Sequence, residues 1–302
     1  MPSTRDIKRR IKLIKTTSQI TRAMELVAAT KMKRAEVEAL STQAYSSRGR
    51  KILRALMEHS DTELSPFFKT NEKGKILALV ITPDRGLCGA LTGNVLRQAV
   101  ALLSKYEKDD VDIMTIGKVG QDTFKRQGYN IIATATHLDW KPKIFDIRPF
   151  SKIALDGYSS EKYRRVYLIF THFISNSVQH PAIRWLFPFS PDDESEDMLH
   201  VKTLEKYPLG PKEDLHATEK FEYLFEPSPA KVLPFIIRNL VEMEMYQALL
   251  DSNAGEHSAR MIAMHSATEN AKELVGDLSL TFNQMRQEGI TRELAEISAS
   301  NA

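Results

Sequence analysis

Between Pro2 and Pro66 the chain contains no proline, and Gly49 is its only glycine in that stretch. Apolar residues recur there at Ile7, Ile11, Ile14, Ile20, Met24 and Val27, in steps compatible with three and four. This periodicity predicts a single helix from residue 3 to about residue 58. At 1.5 Å per residue such a helix runs about 75 Å, more than a compact domain needs, so it must reach outside one. In "QITRAMELVAATKMKRA" (residues 19–35) the expected apolar side is Ile20, Met24, Val27 and Ala28, flanked by Ala23 and Ala29. Alanine and methionine make a thin, adaptable packing face, since small residues let helices approach closely and methionine accommodates changing neighbours.

The other end of the chain mirrors this pattern. From Ser228 to about Ser298, Pro234 is the only proline after the first turn, and Gly255, Gly276 and Gly289 stand isolated. Met264, Ala267, Ala271, Leu274, Leu278, Thr281 and Met285 alternate steps of three and four, the seam of a coiled coil. Neither helix has a second broad apolar face, so the two ends are expected to pair antiparallel. The expected register sets Met24 beside Phe282 and Met285, and residues 50–60 beside Leu240–Leu250.

The middle of the chain is of a different kind. "KILALVITP" reads as a buried strand, followed by the loop "DRGLCGALTG" and the amphipathic "NVLRQAVALLSKYEK". Then come "VDIMTIG", the short helix "KVGQDTFKRQG", the strand "YNIIATAT", another helical stretch, and two strands turning near Asn176. Strands alternating with helices predict a parallel, Rossmann-like α/β domain. The fold class is therefore α/β with a long antiparallel coiled coil. Its parts are an N-terminal helix (1–60), a central domain (74–226) and a C-terminal helix (228–302). The acidic, proline-broken stretch 190–220 is expected to be an exposed excursion of low order.

Chemistry is tested residue by residue. Gly86, Gly89 and Gly93 are spaced by three and four, unlike the G-x-G-x-x-G that cradles a pyrophosphate, and no G-x-x-x-x-G-K-[ST] occurs. Cys88 is the only cysteine, with no histidine nearby to activate it. His137, His172, His180 and His200 are scattered, and His257 and His265 lie too far apart on one helix to share a metal. Glu242 and Glu244 face different sides of a helix. No catalytic residue, cofactor or metal site is expected.

Charge points instead to a partner. Residues 1–60 carry fourteen Lys/Arg against five Asp/Glu, within a chain whose net charge is only +3. That suits a carboxylate-rich surface or a nucleic acid. Against the latter, Tyr45 is the only aromatic in this arm. A single cysteine and the absence of an 18-residue apolar run fit a protein of a cytosol-like compartment without a membrane span.

Three separated segments then carry a resemblance. "IKRRIKLIKTTSQITRAMELVAATKMKRA", "DRGLCG" and "SARMIAMHSATENAKEL…FNQMRQEGITRELAEI" resemble the gamma subunit of the rotary F-type ATP synthase. The resemblance implies a central rotor that couples proton flow through a membrane rotor ring to ATP synthesis or hydrolysis in a ring of alpha and beta subunits. It implies no active site in this chain and no cofactor. The implied partners are the alpha and beta subunits, the epsilon subunit and the rotor ring. There would be one copy per complex, peripheral to the cytoplasmic face of a bacterial plasma membrane, and no nucleic acid. By position, Arg22, Met24, Lys31 and Lys33, with Arg85, Leu87 and Cys88, would face the acidic lever of the beta subunit. Arg286, Gln287 and Thr291 would contact a loop of the beta subunit, and Tyr223, Phe225 and Glu226 would rest on the rotor ring. The chain departs from the family at its polar "EISASNA" end and lacks the dithiol insert of photosynthetic homologues.

Overall fold

The computed structural model describes residues 3–59, 65–139, 141–189 and 229–300. Ser3 opens the first helix. Its hydroxyl and backbone N–H donate to the Asp6 carboxylate at 2.8 and 3.2 Å, and the Asp6 N–H donates back to the Ser3 hydroxyl at 3.2 Å. This reciprocal cap satisfies donors that a helix start leaves open. The side-chain and backbone bonds from Ser3 hold the Asp6 carboxyl below its ordinary pKa. The helix, α1, runs Thr4–His59 as one element.

The central strands are β1 (Lys75–Ile81), β2 (Val111–Ile116), β3 (Asn130–Ala135), β4 (Tyr163–Ser175) and β5 (Val178–Phe187). They form one sheet in the order β3-β2-β1-β4-β5. The β2–β3, β1–β2 and β1–β4 ladders are parallel, and β5 returns antiparallel beside β4. The crossover helices are α2 (Leu91–Leu103), α3 (Lys118–Arg126) and α4 (Ile144–Ser159). Alternate residues of each strand feed two cores. Ile76, Ala78 and Val80 pack with Val95, Ala99 and Leu103 of α2 and Phe124 of α3. Leu77, Leu79 and Ile81 pack with Ile147, Phe150 and Ala154 of α4. Burial on both faces is why β1 reads as a continuous apolar run, and in β2 it encloses the polar Asp112 and Thr115 as well.

The last helix, α5, runs Pro229–Ser300. The chain divides into two packed units, one holding the residues up to Thr30 and from Arg260 onward, the other Lys31–Ala259. In the first unit α1 and α5 run antiparallel. The Thr21 and Thr268 hydroxyls meet at 2.8 Å, and the His265 ring lies 3.2 Å from the Glu25 carboxylate. Met24 therefore lies opposite the His265 turn, not beside Phe282 and Met285 as expected. The pairing is shifted because α5 continues past the start of α1. From Arg286 on, every described side chain is exposed.

The seam also differs in phase from the one expected. Met264 is 5% exposed and Thr268 1%, whereas Leu274 is 48% exposed. Val275 and Phe282 are half-buried where Leu274 and Thr281 were expected. Met264, Ala271, Leu278 and Met285 belong to both phases, and a three-then-four or four-then-three step puts the second row on opposite sides of that shared stripe. On α1, Ala28 is buried, but Ile20 and Val27 are more than half exposed. The seam there runs through Thr21, Met24 and Ala28.

In the second unit the seam continues along α1 as Met32, Ala35 and Ala39, all buried. Antiparallel packing recurs: the Thr42 hydroxyl donates to Gln247, and a Cβ placed on Gly49 would sit 2.2 Å from Leu240 Cδ2. The part of α1 after Gly49, up to His59, thus falls opposite the part of α5 before Leu240, whereas residues 50–60 were expected alongside Leu240–Leu250. On its other side, α5 lies against the carboxyl end of β4. A Cβ on Gly255 would approach Thr171 Cγ2 to 2.8 Å, so only glycine permits this crossing. Gly255→Val should destabilise the chain by about 1–3 kcal/mol through overpacking, and Thr171→Ser, which deletes the opposing methyl, should recover part of that in urea unfolding.

Candidate partner-binding surfaces

The loop after β1 is held from both ends while its tip is left outside. Thr82 and Asp84, leaving the strand, cap α3, which has no cap of its own. The Gly120 N–H donates to the Thr82 hydroxyl at 2.9 Å, and the Lys118 N–H to Asp84 Oδ1 at 2.9 Å. The second Asp84 oxygen accepts the His137 N–H at 2.8 Å, so one carboxylate ties together the loops after β1, β2 and β3. Downstream, Cys88 is 2% exposed with its sulfur 3.2 Å from the Thr92 hydroxyl. Arg85 and Leu87 lie between these anchors and both are exposed, Leu87 by 60%. Leu87 holds a left-handed backbone (φ 66°), a conformation that costs a non-glycine residue about 1 kcal/mol or more and recurs at recognition sites.

On α1 the basic residues are partly engaged within the helix. Arg22 pairs with Glu25 at 2.7 Å, and Lys33, 74% exposed, pairs with Glu36 at 3.1 Å. Met24 is half-buried in the seam and Lys31 half-exposed. Glu25 accepts from Arg22 and faces His265 through one oxygen, while its buried Oε2 has no partner among the described residues. Desolvation would raise this carboxyl, but the bonds from Arg22 and His265 outweigh it and hold the pKa below the ordinary value. Glu25, Thr21 and Thr268 are seam residues that a search for apolar periodicity passes over.

The residues implied by resemblance do not form one cluster. In the first unit, Arg22 and Met24 lie at the Thr268 level of α5. Arg286, Gln287 and Thr291 occupy its exposed end, roughly 25–35 Å further along the helix. Lys31, Lys33, Arg85, Leu87 and Cys88 belong to the second unit. Tyr223, Phe225, Glu226 and the 190–220 stretch lie outside the described residues. Glu242 and Glu244 each pair with a separate arginine, Arg148 at 3.4 Å and Arg184, and do not face each other. Among the described residues no group of three or more His, Cys, Asp or Glu could hold a metal, and no helix is long and apolar enough to cross a membrane.

A Rossmann-like sheet carrying paired terminal helices is the architecture of ATP synthase central-stalk chains. A rotor chain of the Euglena gracilis mitochondrial ATP synthase superposes with a TM-score of 0.62 at 20% identity, covering 95% of this chain and 98% of that one. A chain of the Tetrahymena thermophila mitochondrial central stalk and c-ring superposes with a TM-score of 0.57 at 20% identity, covering 82% and 99%. At that identity these likenesses establish the fold. Sequence carries the rest: a family model described as ATP synthase matches residues 3–302. The ATP synthase gamma chain of Chloroflexus aurantiacus is 40% identical over 307 residues, covering 100% of this chain and 99% of the relative. That of Coxiella burnetii is 35% identical over 306 residues, with 100% and 99% covered. The chain belongs to the ATP synthase gamma family.

Two outcomes follow from the anchoring groups. Asp84→Ala leaves two exposed N–H groups to water and removes a cap of α3, which should cost about 0.5–2 kcal/mol. Hydrogen exchange should accelerate at Lys118 and His137 and through the 85–90 tip. Glu25 has a lowered folded pKa, so its stabilisation is present above its ordinary 4.5 and is lost as pH falls through the lower folded value. Melting of the full chain should therefore decline on that acid limb, and Glu25→Gln should flatten the decline.

Proposed function

We propose that this chain is the central rotor shaft of an F-type ATP synthase. It couples ion flow through the membrane rotor ring to the catalytic ring of alpha and beta subunits, and holds no active site itself. The observation that carries this reading is the match to gamma chains over the full length, joined to helices whose outer faces are left uncovered. Leu13, Ile20 and Val27, seven residues apart on α1, are each at least 55% exposed among lysines and arginines. Ile290, Leu294 and Ile297, each more than half exposed, form a second apolar row on the exposed end of α5, there among both arginines and glutamates. Such ordered apolar and basic stripes suit a surrounding sleeve of protein with acidic patches.

The non-catalytic reading has a structural argument behind it. In an open α/β sheet, a ligand binds beyond the carboxyl ends of the strands where the strand order reverses, here between β1 and β4. In this chain Gly255 of α5 packs there against Thr171 and Leu91, and the Ser252 hydroxyl accepts the Thr171 N–H at 3.1 Å. The crevice is filled by the chain itself.

The roles of the named residues follow from position. Arg22, Lys31 and Lys33, with Met24 behind them in the seam, and the tip of Arg85 and Leu87 braced by Cys88, face an acidic lever of the beta subunit. Arg286, Gln287 and Thr291 meet a second beta-subunit segment. Tyr223, Phe225 and Glu226 rest on the rotor ring near the epsilon subunit. One copy serves each complex, at the cytoplasmic face of a bacterial plasma membrane.

The test is co-purification of tagged chain with the alpha and beta subunits from its own host, where failure to recover them removes the reading. In the recovered complex, Lys31→Glu with Lys33→Glu should lower proton pumping more than ATP hydrolysis. Each exposed pair contributes only about 0.2–1 kcal/mol, so the loss should be partial and should shrink at high salt.

A further inference from the structure

A chain of buried polar groups crosses the second unit from α1 through α5 to β4. Gln247 is 6% exposed, Asp251 6% and His172 8%. The Gln247 amide is fully satisfied. Its two N–H groups donate to the Ala39 carbonyl of α1 at 3.1 Å and to Asp251 Oδ1 at 2.8 Å, and its oxygen accepts the Thr42 hydroxyl at 2.5 Å. Thr42 also lies within reach of the Glu38 and Ala39 carbonyls, but it has one proton, and the Gln247 contact is the shortest. The second Asp251 oxygen meets His172 Nδ1 of β4 at 2.8 Å. One residue along, Ser252 accepts the Thr171 N–H.

This arrangement does something that the apolar contacts around it do not. Met32, Ala35 and Ala39 offer a smooth surface of small or flexible side chains, on which a one-turn slip of α1 along α5 costs little apolar area, while Ile237, Val241, Met245 and Gly255 anchor α5 on the sheet. Such a slip takes Thr42 and the Ala39 carbonyl away from the buried Gln247 amide, which Asp251 and His172 hold in place. A single buried polar residue is known to fix helix register at some cost in stability.

We infer that Thr42, Gln247, Asp251 and His172 form a register key, which sets the axial position of α1 against α5. The inference concerns the chain itself and stands apart from its role in a rotary complex. In the full-length chain with Cys88→Ser, Gly49→Cys is paired with Leu240→Cys for the native register, or with Ile236→Cys or Glu244→Cys for one-turn slips. With the key intact, oxidation should link only the 49/240 pair. With Thr42→Val, Gln247→Leu, Asp251→Leu and His172→Leu together, the slipped pairs should gain about tenfold or more in yield relative to 49/240, the population change expected for losing one buried hydrogen-bonded pair. If that variant fails to give the parent's circular dichroism, Thr42→Val with Gln247→Met carries the same test in the same direction. Cross-linking confined to 49/240 in a folded key-less variant would overturn the inference.

Discussion

The close approach of α1 to α5 is the constraint from which the rest of the structure follows. A seam of alanine, methionine and threonine joins the two helices, tight enough at one point that a methyl at Gly49 would meet the Leu240 side chain. Such a seam buries little area per residue, and at roughly 25 cal/mol per Å² it cannot by itself select one alignment. Polar groups therefore enter the interface. Thr21 meets Thr268 and Glu25 meets His265 in one unit, and Gln247 bridges α1 to Asp251 in the other. The narrow seam gives closeness, and the hydrogen bonds give position.

The docking of α5 on the sheet follows the same logic. Where strand order reverses, between β1 and β4, a free crevice would present unsatisfied backbone groups. Gly255 lets the helix descend to Thr171, and Ser252 satisfies the N–H waiting there. Gly86 and Gly89 belong to a loop shaped by Asp84 and Cys88, whose exposed product is the Arg85–Leu87 tip, and Gly93 lies in α2.

The sequence made some of this plain and concealed the rest for identifiable reasons. All five strands and the helices between them were legible, because strands buried on both faces spell continuous runs such as "LALVI", and the hairpin turns at Asn176 as its polar residues suggested. The long helices were legible from missing prolines. Their phase was not: Leu274 looked a better seam residue than Val275, and Ile20 and Val27 better than Thr21, because hydrophobicity was the only guide. Thr268 is 1% exposed since its hydroxyl has both a Met264 carbonyl and Thr21 to bond, a pairing visible only once the two helices are set side by side. Register failed for the same reason. It depends on which polar groups meet, and periodicity carries no such information.

That failure bears on the exposed face as well. If Ile20 and Val27 were seam residues, α1 would be a helix with one apolar side, satisfied by its partner in the chain. With Thr21, Met24 and Ala28 facing α5, the larger apolar side chains Leu13, Ile20 and Val27 are displaced outward, aligned at intervals of seven. A lone exposed leucine on a protein surface needs no explanation, but a repeat along one helix face, among lysines and arginines, does. The small residues are spent where the chain meets itself and the large ones are kept for the outside. That inverts the usual partition of a free-standing helical hairpin, and it is the partition expected of a helix pair enclosed by other subunits.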